Sequence, residues 1–376
     1  IASTLAAPLG ALLGAQDTIA SARQDSVQVL RVDTLLDLST VLARAVAVSP
    51  AVTAGEASVR TARSESRVAA GAYLPSLSAN STAIRSDILS APTGAAGATD
   101  ATSAAAYSAG VSSSLELFTG GRRGADRARA QANLGAATAA NLSQRFGVIL
   151  VAERAYFESL RGSDLLAVAT ARVARAERGL RYARDRVRAG TATRSDELRA
   201  QLELTTARQQ VLAAQDTLQS AAFTLGRLVG ADGPVGARPP PSLEPRPLAL
   251  SDSEIVRLAV DAAPAVRSAQ ATARATVASV RAARAQYLPD LKLTGGYNVA
   301  NHSVVSGAVR PGWTVGLGTS FPLFNGFQRE DLVTQADAER EVARVVALDA
   351  VRETRTAAAR LLNALRLADQ NIALAQ

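Results

Sequence analysis

Side chains able to do covalent chemistry are scarce in this sequence. His302 is the sole histidine, so any Ser–His–Asp relay would have to use it. It sits in an expected surface loop without neighbouring ligands or a carboxylate to orient it. The stretch "GLGTSF" at 316–321 imitates a Gly-rich phosphate loop. It lies in an alternating strand pattern, however, with no following helix or lysine to hold a phosphate. Asp196 and Glu197 are adjacent acids, but their place at the start of a helical run suits the helix N-terminus better than acid–base work. Cysteine is absent, which removes disulfides, thiolate metal sites and cysteine-borne lipid anchors. The lack of methionine and the single histidine count against a relay for soft metals as well. No catalytic residue, metal or cofactor is expected, and the chain does not read as an enzyme.

The elements that would position functional residues are more informative. The 376 residues carry a net charge of +8 and a pI near 10.6. The basic residues are spread along helical faces, Lys292 is the single lysine, and no basic block is interleaved with stacking aromatics. Nucleic acid is therefore not an expected partner. Residues 1–24 read as the tail of a signal region, the alternative being an Ala-rich disordered tail. No run of about 18 apolar residues follows, so any membrane crossing falls to strands.

Internal repetition organises the rest. "YLPSL" at 73–77 returns as "YLPDL" at 287–291, and "LFTGGRR" at 117–123 returns as "LFNGFQR" at 323–329. Two units follow, 35–230 and 251–376, joined by a Pro-rich linker at 231–250. In the first, helices are expected at 38–73, 122–189 and 196–229. The second should hold helices at 252–287 and 327–376. The helix at 122–189 would run roughly 100 Å at 1.5 Å per residue. Its distal part carries a heptad of Leu166, Val173, Leu180 and Val187, with Ala169, Ala176 and Ala183 three residues later. Leu204, Val211, Leu218 and Leu225 continue it, with Ala207, Ala214, Ala221 and Leu228. Large knobs facing Ala-floored holes predict an antiparallel coiled-coil hairpin. Its tip would be 190–195, with Gly190 ending one helix and Ser195 or Thr193 capping the next.

Beyond each "YLP" the period changes to two. Leu291, Leu293, Tyr297 and Val299 alternate with Lys292, Thr294, Gly296 and Asn298. Trp313, Val315, Leu317, Thr319, Phe321 and Leu323 alternate with small or polar residues, and Tyr107, Val111, Leu115 and Leu117 do so more weakly. Strands are expected at 76–86, 105–118, 290–301 and 312–323, linked by Ser/Ala/Gly-rich loops at 86–104 and 300–310. One greasy face and about ten residues per strand suit tilted transmembrane strands. Leu291, Leu293, Tyr297, Trp313, Val315, Leu317 and Phe321 would face lipid. Four strands cannot close a barrel, so several copies must pool them.

This order of motifs, duplicated, resembles the TolC-like outer-membrane efflux proteins over about residues 35–376. The resemblance implies a mostly helical chain with a transmembrane β part, two repeats, and hairpins pooled into a 12-stranded barrel by a homotrimer. It further implies a periplasmic helical extension docking to an adaptor protein and an inner-membrane transporter of the RND or ABC type. The chain would be a passive exit conduit for small molecules; a periplasmic coiled-coil scaffold without a pore is the alternative, and the same architecture could serve protein secretion or metal export. Carried onto this sequence, Gly190, Thr191, Ala192, Thr193, Arg194, Ser195 and Asp196 form the adaptor-facing tip. Gly120, Gly121, Arg122 and Arg123, with Gly326 and Arg329, mark where barrel passes into helix. There Arg122 and Arg123 would meet lipid phosphates or stand on a solvated turn. Phe118 to Gly190 spans 72 residues, which by repetition puts a second tip and a last helix beyond residue 376, and the resemblance implies that the gate residues lie near that tip.

Overall fold

The computed structural model describes residues 34–88, 102–241, 248–301 and 309–375. The expected signal remnant, His302 and most of the two hairpin loops lie outside the described residues. The first elements are β1 (Thr34–Leu36), α1 (Leu38–Val48), α2 (Pro50–Gly71), β2 (Ser76–Ile88) and β3 (Thr102–Thr119). Then come α3 (Arg122–Arg188), α4 (Arg194–Val229) and β4 (Val235–Ala237). The chain continues with α5 (Asp252–Ala262), α6 (Pro264–Ala285), β5 (Asp290–Asn301), β6 (Val309–Ser320) and α7 (Gln328–Ala375). Contacts divide these into two units, one of 34–49 with 148–241 and one of 50–147 with 248–375. That division cuts across the sequence repeats, because α3 contributes its first part to one unit and its remainder to the other.

The helices expected at 38–73 and 252–287 are each two helices. Ser49 has φ −62° and ψ 123°, and Ala263 has φ −58° and ψ 121°. A following proline pushes its predecessor out of the helical region, so Pro50 and Pro264 each begin a new helix.

In the first unit, Val41, Ala45, Ala152, Tyr156, Leu160, Leu225 and Val229 form a core. Every residue of the predicted α3–α4 seam is buried or half-buried. At Gly162 the helices come so close that an added Cβ would lie 3.1 Å from the Leu218 Cα. The expected linker at 231–250 contains β4, which pairs in parallel with β1, Thr34 to Val235 and Leu36 to Ala237. Three residues are too few to show a period, and the partner strand lies about 200 residues away. The buried Tyr156 hydroxyl donates to the Arg238 carbonyl, and Arg238 pairs with Asp37 at 3.2 Å. Burial, with the Asp37 charge adding to it, pushes the Tyr156 phenol pKa up.

In the second unit, helices adjoin in the order α2, α3, α6, α7. Gly55 on α2 approaches Asn141 and Gln144 on α3, Ser268 on α6 donates to the Ala136 carbonyl of α3, and Arg284 on α6 pairs with Asp337 on α7 at 3.2 Å. Burial follows this order. The outer helix α2 buries the single line Val52, Gly55 and Ala62. The inner helix α6 buries Val266 and Val280, two heptads apart, and also Ala271, Ala275 and Ala278. That second line is all alanine, which leaves no apolar contrast for periodicity to detect. The sheet repeats the helix order, β2-β3-β5-β6.

Candidate functional site

The sheet is antiparallel throughout, and directly paired residues share a face. Leu293 pairs with both Leu115 and Leu317, Tyr297 with Val111 and Trp313, and Gly295 with Val315. Leu291, Leu293, Tyr297, Trp313, Val315 and Leu317 therefore lie on one face, together with Leu77 of β2, whose register follows from its pairing to Ser113. That face is open: Trp313 is 76% exposed and Leu77 75%. The opposite face carries Ser76, Ser78, Asn80, Ser112, Ser114, Lys292, Thr294 and Asn298. Hydroxyls ladder across it, Ser76 to Ser114 at 2.9 Å and Ser78 to Ser112 at 2.8 Å.

Three expectations change here. A bulge between Glu116 and Phe118 skips Leu117 and brings Phe118 opposite Leu291, since one extra residue resets the alternation. β6 ends at Ser320, not at 323, because Pro322 offers no N–H to continue a ladder. Phe321 is consequently outside the strand and belongs to the turn that follows.

Both strand-to-helix turns use paired left-handed residues, Gly120 (φ 58°) with Gly121 (φ 90°) and Gly326 (φ 65°) with Phe327 (φ 66°). An arginine closes each. The Arg123 guanidinium donates to the carbonyls of Ala72 at 3.2 Å and Leu117 at 3.0 Å and lies 4.8 Å over the Tyr73 ring. Arg329 donates to the Pro322 carbonyl at 3.1 Å and lies 5.0 Å over Tyr287 and 5.9 Å from the Phe321 ring centroid. The two repeated motifs thus meet: the tyrosine of "YLP" is the platform for the last arginine of "LFxGxxR". Arg122 pairs with Glu116 at 3.6 Å.

The α3–α4 tip is built from local bonds. Gly190 (φ 78°) donates to the Val187 carbonyl at 3.0 Å and Thr191 to Arg186 at 2.9 Å, a Schellman ending. Thr193, not Ser195, caps α4, so the helix begins at Arg194 and not at 196. The Thr193 side chain accepts from the Asp196 N–H, and the Thr193 N–H donates back to the Asp196 carboxylate at 2.9 Å. Those bonds to Thr193, then Arg199 and Arg186, hold the Asp196 pKa below its ordinary value. Glu197 is buried between Arg184, at 3.2 Å, and Arg194. Ala192 is half-buried and the other tip residues are exposed.

A family model for the outer membrane efflux protein matches residues 41–231 and 255–376. The chain belongs to that family. Protein CyaE of Bordetella pertussis is 32% identical over 243 residues, 61% of this chain and 49% of that protein. The pyoverdine export outer membrane protein OpmQ of Pseudomonas aeruginosa is 27% identical over 317 residues, 82% of this chain and 64% of that protein. The chain thus spans less than two thirds of the length of these curated relatives. A solved structure, the open state of the MtrE outer membrane channel of Neisseria gonorrhoeae, matches with a TM-score of 0.70 at 21% identity, over 89% of this chain and 73% of that one. The fold is therefore TolC-like, as the repeats suggest, and the family is one of the outer membrane. No single helix among the described residues is long and apolar enough to cross a membrane.

Sequence reasoning missed three residues. Leu77 and Phe118 join the apolar face, the first visible as a continuation of "YLPSL", the second hidden by the bulge. Glu197, which its position alone ties only to the helix N-terminus, is the buried partner of Arg184 and Arg194.

Proposed function

We propose that the chain forms the outer-membrane conduit of a tripartite efflux or type I secretion system, a passive route for small molecules from periplasm to exterior. The carrying observation is the four-stranded sheet with one apolar face, one hydroxyl-lined face and two edge strands, β2 and β6, each hydrogen-bonded to one strand only among the described residues. Lipid cannot satisfy those edge N–H and C=O groups, so copies must pair edge to edge. A homotrimer supplies twelve strands and turns the hydroxyl face toward water.

On this reading the tip from Gly190 to Asp196 meets a periplasmic adaptor, with an RND or ABC transporter supplying the energy. The conduit needs no catalytic group, and OpmQ's name, which assigns it pyoverdine export, accords with small-molecule cargo. A periplasmic scaffold has no use for an exposed Trp313–Val315–Leu317 face. The expected result is recovery from outer membranes as a heat-resistant oligomer that conducts ions in planar bilayers. A soluble monomer released by a salt wash would contradict it.

A further inference from the structure

The two arginines that open α3 have different surroundings. The Arg123 guanidinium is occupied by the carbonyls of Ala72 and Leu117, as Arg329 is by the Pro322 carbonyl. Arg122 stands 3.6 Å from Glu116, beyond hydrogen-bond reach, and its donors have no other partner among the described residues. It lines a cavity of about 440 Å³ whose wall also holds Gln286, Asp290 and Ser320, with Leu288 and Phe321 as its apolar part.

This cavity adjoins the hydroxyl face of the sheet. Asp290 pairs with Ser320, and Lys292, two residues on, pairs with Glu116, so all four share the face that carries Thr294 and Asn298. Among the described side chains of that face the charges are Glu116, Asp290 and Lys292, and all stand at its helix-proximal end. Glu116 is bracketed by Arg122 and, across the ladder, by Lys292. Asp290 is exposed, lies between Thr119 and Ser320, and makes no ion pair among the described residues.

Joining strand to helix does not need these charges. Tyr73 and Tyr287 are 214 residues apart, and Arg123 and Arg329 are 206 apart. By those offsets the equivalents of Asp290, Lys292, Gln286 and Arg122 are Ser76, Ser78, Ala72 and Gln328, none of them charged. The arginine on its tyrosine, by contrast, is kept in both repeats.

We propose that the cavity beside Arg122 binds small amphipathic zwitterions on the water side of the conduit wall. The anionic group meets Arg122 and Gln286, the ammonium meets Asp290, and the apolar part lies against Leu288 and Phe321. The volume suits such a molecule. Opposite charges on one wall favour a ligand that satisfies both over one that leaves a charge unpaired. Its place on the water side rests on the conduit reading; the site itself does not.

Saturation-transfer NMR on the detergent-dispersed protein tests this with three probes of one apolar body: phenylalanine, phenethylamine and 3-phenylpropionate. Phenylalanine should bind about tenfold more tightly than either singly charged probe, the effect of one charged contact. Arg122→Gln should erase its advantage over phenethylamine, and Asp290→Asn its advantage over 3-phenylpropionate. Equal binding of the three probes to the unaltered protein, or advantages that survive both substitutions, overturns the site. Transfer to dihexanoylphosphatidylethanolamine but not to phenylalanine assigns the same charges to a lipid headgroup and overturns the water-side placement. In planar bilayers phenylalanine should reduce the current with the same dependence on Arg122 and Asp290. Binding without any current keeps the site and removes the conduit; current without binding does the reverse.

Discussion

The α3–α4 tip and the two strand-to-helix junctions solve one problem by opposite means. Each reverses or redirects the chain through a glycine at positive φ: Gly190 at the tip, Gly120 and Gly326 at the junctions. At the tip, the bonds at the turn join residues five or fewer positions apart, through the Schellman ending and the Thr193–Asp196 box. Glu197 reaches somewhat further, to Arg184. At the first junction the decisive partners are remote, since Arg123 reaches the Ala72 carbonyl 51 positions away. A turn that projects from its helices can rely on itself alone. A turn that joins a sheet to a helix must also fix the angle between them, and this chain does so with one arginine on one tyrosine. The tip is therefore expected to open locally, and the junctions to open only with the sheet.

The largest effect should come from the enclosed glycine. In Gly120→Ala the backbone strain, about 1–3 kcal/mol, adds to a collision with the Ala285 carbonyl that costs about 1–3 kcal/mol more. A total of about 2–6 kcal/mol is expected, read as a lowered denaturant midpoint of the detergent-dispersed monomer. Gly326→Ala meets open space and should cost only the left-handed penalty, about 1–2 kcal/mol. Equal losses would mean that dihedral angle alone, and not the remote neighbour, makes the first junction strict.

The same contrast governs how much could be read without the structure. The heptad seam from Leu166 to Leu228, the Gly190 turn and the alternation from Leu291 to Leu317 are local patterns, and each was legible from spacing. The remote contacts were not. Both "YLP" and "LFxGxxR" were visible as repeats, yet nothing in their spacing says that Tyr73 lies under Arg123. By sequence β4 is indistinguishable from linker, because its three residues acquire meaning only against β1. Thr193 and Ser195 were indistinguishable as caps, since either hydroxyl suits the position and backbone geometry chooses. The bulge at Leu117 exists because β5 has one residue fewer there, which β3 alone does not disclose.

Next in size are the arginines. Arg329 is only 9% exposed, donates to two carbonyls and has two rings beside it. Arg329→Gln should cost about 2 kcal/mol, from charged hydrogen bonds and the ring contact together. Arg123 is half-buried, so Arg123→Gln should cost about 1 kcal/mol. Unfolding followed by fluorescence of Trp313, the only tryptophan, should detect both losses from within the sheet, which separates them from any change at the tip. A silent Arg329→Gln would remove the arginine–tyrosine contact from the account of junction stability.

The smallest effect belongs to the tip and depends on pH. The Asp196 carboxyl pKa is depressed in the folded chain by the N–H and hydroxyl of Thr193, with Arg199 and Arg186 adding. A depressed carboxyl contributes stability that is present above its unfolded pKa and is lost as pH falls through the folded one. Acidification through and below the ordinary aspartate range should therefore raise local opening of residues 190–197, seen as loss of amide-exchange protection relative to intrinsic rates. Arg123 and Arg329 bind carbonyls and rings at the junctions, which do not titrate in that range, and the Arg122–Glu116 pair is a longer, partly exposed contact, so protection beside Gly120 and Gly326 should fall much less. Asp196→Ala should reproduce the open tip at neutral pH and flatten its pH response. Were the junction amides to lose protection together with the tip, the local box would not be an independent unit, and the division between self-contained and remotely tied turns would fail.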